Sequence, residues 1–240
     1  MGQGVAWAAR ELEVPCTVVV PDHAPETKLA AIERLGGRTV KVTHERWWEA
    51  IVTSSFPEAD GVFVHPVQDD RVMAGNGTIG LEILEDLPAA DVVLVPFGGG
   101  GLSVGIASAV KQLRPEARVY AVEPETGAPL TASFAAGKQH SVEYRASFVD
   151  GSGSPAVLAA MWPLAEEALD GAFAVSLDDT AAAVRMLAER ARVVAEGAGA
   201  LALAAALAGH GGSGRVVCIV SGGNIDSSKL ATILGGQTPS

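Results

Sequence analysis

Four consecutive glycines, Gly98, Gly99, Gly100 and Gly101, followed by Leu102, stand between an apolar run and a helical pattern. Without side chains, several backbone N–H groups can converge on one anion. A helix that starts directly afterwards adds its positive N-terminal end, an effect of about 0.3–1 kcal/mol and up to ~2 kcal/mol where partly buried. The chemistry this predicts is phosphate binding. No Lys-Ser/Thr pair follows, so the segment is not a nucleoside-triphosphate loop. As pure architecture the glycines would make a tight turn, but such a turn seldom needs four. A second segment, Ser221-Gly222-Gly223-Asn224, follows another apolar run. A hydroxyl at a strand's carboxyl end, flanked by glycines, can reach a flat ligand; taken alone, the same residues read as a helix cap. In Ala74-Gly75-Asn76-Gly77-Thr78, Asn76-Gly77 reads as a turn and Thr78 as a cap. Glu196 lies in an Ala/Gly-rich helical stretch, where a buried acid is unfavourable unless paired.

The elements that must position these segments alternate between strand and helix. Apolar runs at Val18–Val20, Val40–Val42, Val62–Val64, Val92–Val95, Val119–Val122, Ala172–Val175 and Val216–Val220 read as strands. Helical spacing covers residues 2–13, Glu26–Leu35, Trp47–Ile51, Thr78–Leu84, Ile106–Leu113, Ala156–Leu169, an Ala-rich stretch over 179–208 interrupted at Gly197 and Gly199, and a closing helix from Asp226. Residues 126–154 read as irregular. Near-continuous apolar strands separated by helices predict an open, mostly parallel, doubly wound α/β sheet covered on both faces. Ligands in such sheets sit at the carboxyl ends of the strands, which is where the glycine loops fall. A break near residues 66–70 divides a small lobe, 1–68, from a large one, 69–240.

With 240 residues, 48% apolar and 19% charged, the chain can bury a sizeable core. Lys+Arg 17 against Asp+Glu 28 gives a net charge of -11, which argues against binding to nucleic acid or an anionic membrane. No secretory signal and no apolar run of ~18 residues is present. Cys16 and Cys218 read as reduced core thiols, and the expected compartment is the cytoplasm.

Taken in order, the segments resemble a known family. The stretches GQGVAWAARELEVPCTVVVPDHAPETKLAAIERLGG (2–37), HPVQDDRVMAGNGTIGLEIL (65–84), VPFGGGGLSVGIASAVK (95–111), AVEPE (121–125), AEGAGALALAAAL (195–207) and VSGGNID (220–226) are similar to the pyridoxal-phosphate (PLP) enzymes of fold type II, the tryptophan-synthase-β fold, and within it to serine/threonine dehydratases and serine racemases. The resemblance implies that Gly98–Gly101 with Leu102 hold the cofactor phosphate and that Ser221 hydrogen-bonds the pyridine nitrogen. Gly222, Gly223 and Asn224 would complete the ring pocket, with Glu196 beside the cofactor as the one candidate catalytic side chain. It implies a small amino-acid substrate, deamination of L-serine or L-threonine, and a homo-oligomer, commonly a dimer.

Two family elements are not found in these residues. The family's Schiff-base lysine precedes a Ser-Gly-Asn-His loop that runs into GQGVA, and Met1 stands at that loop's last position. The reading is an N-terminally truncated chain without its lysine or its carboxylate-binding loop, and therefore a poor dehydratase or none, since positioned acid–base catalysis alone contributes roughly 10²–10⁴-fold. Lys28, Lys41, Lys111, Lys138 and Lys229 read as solvated surface residues. Some relatives bind a metal through the acid equivalent to Glu123 and another six residues on; that position is Pro129, so no metal is expected. His23, His44, His65, His140 and His210 show no zinc-ligand spacing.

Three other readings compete. A Rossmann dehydrogenase would use Glu123, roughly 20 residues past the glycines, on a ribose hydroxyl. A serine hydrolase would use Ser103 in Gly101-Leu102-Ser103-Val104-Gly105, although that serine falls inside the predicted helix rather than on an elbow. A lysine-less homologue would bind PLP or a partner without catalysis.

Overall fold

The computed structural model describes residues 1–22 and 24–239; His23, one of the histidines considered as a metal ligand, lies outside the described residues. The chain divides into two units, Met1–Pro66 and Val67–Ser240.

The first unit contains α1 (Gly2–Glu11), β1 (Thr17–Pro21), α2 (Glu26–Arg34), β2 (Arg38–Val42) and α3 (His44–Thr53). β1 and β2 pair in parallel, with Thr17 opposite Arg38 and Pro21 opposite Val42. Ala6, Val20, Leu29, Ile32 and Ala50 are buried. Thr43 caps α3 by accepting from the Arg46 N–H at 3.3 Å. The strand expected at Val62–Val64 does not form. Val62 is 78% exposed, and among the described residues no strand lies beside it to complete a ladder.

The second unit holds α4 (Asp70–Asp86), β3 (Val92–Pro96), α5 (Gly101–Leu113), β4 (Arg118–Pro124), α6 (Pro129–Ala136), α7 (Met161–Ala168), β5 (Ala172–Val175), α8 (Leu177–Met186), a π-turn at Leu187–Ala191, α9 (Gly197–Leu207), β6 (Val216–Cys218) and α10 (Ser227–Leu234). Its sheet is fully parallel, in the order β5-β4-β3-β6. Side chains alternate along β3. Val92 and Leu94 enter a core shared with Val184, Ala200 and Leu201 of α8 and α9, whereas Val93 and Val95 enter one shared with Ile106, Val110 and Met161 of α5 and α7. Both faces are covered, which is why the strands read as unbroken apolar runs. The chain winds outward from β3 to β4 and β5, then returns past β3 to place β6 on its other side. The winding direction therefore reverses between β3 and β6, the crevice where open α/β sheets bind ligands.

Three expectations are corrected here. α4 begins eight residues before Thr78, capped by Asp69, and the expected Asn76-Gly77 turn lies inside it. The glycines are there for helix contact: a Cβ on Gly77 or Gly80 would stand 3.1 Å from the Gly105 carbonyl or 2.9 Å from that of Ile106. The irregular stretch 126–154 contains α6, whose first turn is held by Glu123. The Ala-rich stretch 179–208 is broken before its glycines rather than at them. It passes through the π-turn and the left-handed Arg192 (φ 60°), and Gly197 and Gly199 sit inside α9.

Candidate functional site

β3 and β6 are adjacent and parallel, with Leu94 opposite Cys218 and the Ile219 N–H donating to the Leu94 carbonyl at 3.0 Å. The two strands therefore deliver Gly98–Leu102 and Ser221–Asn224 side by side at their carboxyl ends. The topology brings together the two segments that the spacing singled out.

The polyglycine turn presents a row of free backbone donors. Among the described residues, the N–H groups of Gly98, Gly99, Gly100, Gly101 and Leu102 have no protein acceptor. Unpaired backbone donors in a folded chain are rare and mark a place for water or a ligand. α5 starts at Gly101, so its positive end faces the same point. Gly100 has φ +102°, a conformation side-chain-bearing residues rarely adopt. A Cβ on Gly99 would stand 2.4 Å from Val67 Cγ2, and one on Gly98 3.0 Å from the Gly151 carbonyl. The turn is thus packed from behind by Val67 and Gly151. These features fit an anionic phosphate ester.

Opposite this turn, Ser221 and Asn224 are exposed and Gly222 is half-buried. The loop is held by α9: the Glu196 N–H donates to the Gly222 carbonyl at 3.0 Å. A Cβ on Gly199 would meet that same carbonyl oxygen at 2.3 Å, and one on Gly222 would meet Glu196 Oε1 at 2.6 Å. Glu196 is the N-cap position of α9, outside the helix, and not a mid-helix acid as its neighbours suggested. Its side chain lies between Gly151 and Gly222, so it borders the Ser221 loop.

Glu123 is buried at the end of β4, and both its oxygens serve α6. Oε1 accepts from the Leu130 N–H (3.1 Å), and Oε2 from the Thr131 N–H (2.7 Å) and hydroxyl (2.8 Å). Burial raises its pKa to about 7 despite those three donors. The carboxylate caps a helix instead of being presented to a ribose, which removes the support for a dinucleotide reading. Among the described residues, no three His, Cys, Asp or Glu side chains gather as a metal site. Ser103 is fully buried within α5, and its hydroxyl donates to the Gly100 carbonyl at 3.2 Å, so it is not on a nucleophile elbow. Cys16 and Cys218 are free and half-buried, with burial raising both thiols. No helix among the described residues is long and apolar enough to cross a membrane.

Sequence reasoning missed one residue that the geometry places at this site. Ser152 is buried, and its hydroxyl donates to the Phe97 carbonyl, immediately before the polyglycine turn. It lies in Gly151-Ser152-Gly153-Ser154, which reads only as a loop.

Parallel α/β sheets of this kind bind ligands at the winding reversal, where the two glycine loops stand, and comparison with known proteins identifies the family. Residues 1–222 match the family described as pyridoxal-phosphate dependent enzyme, and the chain belongs to that family, whose cofactor is pyridoxal phosphate. It is 39% identical over 236 residues to the L-threonine ammonia-lyase of Thermotoga maritima, covering 97% of this chain and 58% of that protein. Serine racemase of Rattus norvegicus is 33% identical over 245 residues, covering 99% of this chain and 73% of the racemase. Among solved structures, maize serine racemase superimposes with a TM-score of 0.84 at 31% identity, covering 96% of this chain and 72% of that one. A processed threonine deaminase from Solanum lycopersicum superimposes with a TM-score of 0.85 at 32% identity, covering 98% of this chain and 70% of that one. The fold is PLP fold type II. The chain spans 58% of the length of the first curated relatives it matches.

Proposed function

We propose that this chain is the cofactor-binding part of a PLP-dependent ammonia-lyase that deaminates L-threonine or L-serine to a 2-keto acid and ammonia. The observation that carries the reading is the pair of loops at the ends of β3 and β6: five unpaired N–H groups, Gly98 to Leu102, beside a serine hydroxyl at Ser221. The similarity to a protein named L-threonine ammonia-lyase supplies the substrate class. In this reading residues 69–240 form the large, PLP-binding lobe and 1–68 most of the small one.

The N–H groups of Gly98–Leu102 would bind the phosphate, with α5 contributing its dipole. The Ser221 hydroxyl would donate to the pyridine nitrogen, and Gly222, Gly223 and Asn224 would line the ring edge. A neutral hydroxyl leaves that nitrogen largely unprotonated, whereas a carboxylate would keep it protonated. When bound, PLP supplies an electron-accepting ring that stabilises negative charge at the substrate α-carbon. Glu196 would orient the Ser221 loop through its backbone bond to Gly222. None of the five lysines stands in the family's lysine motif, and two of them are engaged elsewhere, Lys41 with Glu26 and Lys111 with Asp170, each at 2.7 Å. We therefore infer that residues 1–240 alone turn over substrate at least about 10²–10⁴-fold more slowly than a complete enzyme.

The test joins the chain to the lysine-bearing N-terminal segment of a threonine ammonia-lyase and measures 2-keto acid release from L-threonine and L-serine. Activity in the fusion supports the dehydratase reading. Silence with retained PLP binding supports a non-catalytic homologue, the second reading. Absence of PLP binding refutes both.

A further inference from the structure

The two cofactor loops are not independent of one another in the fold. The Ser152 hydroxyl is buried and donates to the Phe97 carbonyl, one residue before the polyglycine turn. Gly151 runs directly behind that turn, its carbonyl 3.0 Å from where a Gly98 Cβ would stand. The far side of Gly151 faces the start of α9: a Cβ there would meet Ala198 Cβ at 3.0 Å and Glu196 Oε1 at 3.4 Å. Glu196 in turn holds the Gly222 carbonyl through its N–H at 3.0 Å. A series of two hydrogen bonds and close backbone approaches therefore runs from the turn, through Gly151 and Ser152, to the Ser221 loop.

We propose that Ser152 is a positioning residue for the phosphate end of the cofactor. By tying the Gly151–Ser152 strap to the last carbonyl before the turn, it fixes where the Gly98–Leu102 N–H groups converge. Through Gly151 and Glu196 it also sets their separation from Ser221. Without the hydroxyl, the Phe97 carbonyl loses a buried partner and the turn loses its anchor. The inference rests on the assignment of the turn as the phosphate site.

The experiment uses the 240-residue chain and two probes without an aldehyde, pyridoxine 5′-phosphate and pyridoxine, titrated by calorimetry. The unaltered chain is expected to bind the phosphate ester more tightly than the alcohol. Ser152→Ala should reduce that preference about tenfold, which a lost buried hydrogen bond of about 1.4 kcal/mol corresponds to. Ser152→Thr, which keeps the hydroxyl, should restore it. Ser152→Cys fills the space without an equivalent donor and should behave like Ser152→Ala, providing a second variant should the alanine protein fail to fold. A preference unchanged in both Ser152→Ala and Ser152→Cys overturns the proposal, as does equal weakening of both probes, which marks only general destabilisation. Equal affinity of the two probes for the unaltered chain refutes the phosphate assignment itself, and the role of Ser152 with it.

Discussion

Gly199 and Gly75 are both interior helix glycines, and replacing each by alanine should have opposite consequences. Alanine is favoured over glycine in a helix by about 0.8–1.0 kcal/mol. At Gly75, within α4, nothing lies within 4 Å of the new Cβ, so Gly75→Ala should stabilise the chain by that amount. At Gly199 the new Cβ would stand 2.3 Å from the Gly222 carbonyl oxygen and 3.1 Å from its nitrogen, when ordinary contact begins at 3.4 Å. The obstacle is backbone, so α9 and the Ser221 loop must separate by roughly 1 Å. Overpacking of this kind is unfavourable by about 1–3 kcal/mol, which offsets the propensity gain and leaves Gly199→Ala destabilised by about 0–2 kcal/mol. Movement of the Ser221 loop should also weaken pyridoxine 5′-phosphate binding several-fold. Urea unfolding with calorimetric titration reads both effects. A Gly199→Ala protein that is more stable and binds as tightly as the unaltered chain would refute the close packing of α9 on the Ser221 loop.

Glu123, whose pKa burial raises from an ordinary 4.5 to about 7, links stability to pH. The folded form holds its proton more tightly than the unfolded chain, so this contribution is complete below pH 4.5 and is lost as pH rises through 7, a total of about 3 kcal/mol. Urea midpoints measured between pH 5 and 8 should fall for the unaltered chain and stay comparatively flat for Glu123→Gln; parallel profiles would contradict the assignment. Ser221→Ala should lose about 0.5–1.5 kcal/mol of pyridoxine 5′-phosphate affinity, the range for one net hydrogen bond, while Gly75→Ala loses none. Calorimetry showing no loss for Ser221→Ala would remove Ser221 from the ring pocket.

Apart from Val62–Val64, which forms no strand, the strands were legible in the sequence because their signals are local. The run Val92–Val95 is apolar on both faces, since the sheet is covered on both. The misread places depend on partners distant in sequence. Asn76-Gly77 carries turn chemistry, yet Gly77 serves a helix contact with Gly105. The break at Arg192–Glu196 is set by the approach of Gly222, which no periodicity encodes. α6 was overlooked because its cap is not the preceding residue but Glu123, seven residues upstream of the Leu130 N–H it accepts. Ser152 gave no signal at all, since a serine between glycines is what a plain loop also contains.

The segment Gly98–Leu102, proposed to hold the phosphate, is four glycines and a leucine and carries no basic side chain; the next lysine along the sequence, Lys111, sits at the far end of α5 and is held by Asp170 at 2.7 Å. On the proposed assignment, a chain of net charge -11 would repel a dianionic ester at long range and attract it only at contact, through neutral amides. Capture should therefore respond to ionic strength in the sense opposite to a lysine-lined pocket. Added salt, by shortening the reach of the repulsion to a Debye length of about 8–10 Å, should speed ester association rather than slow it.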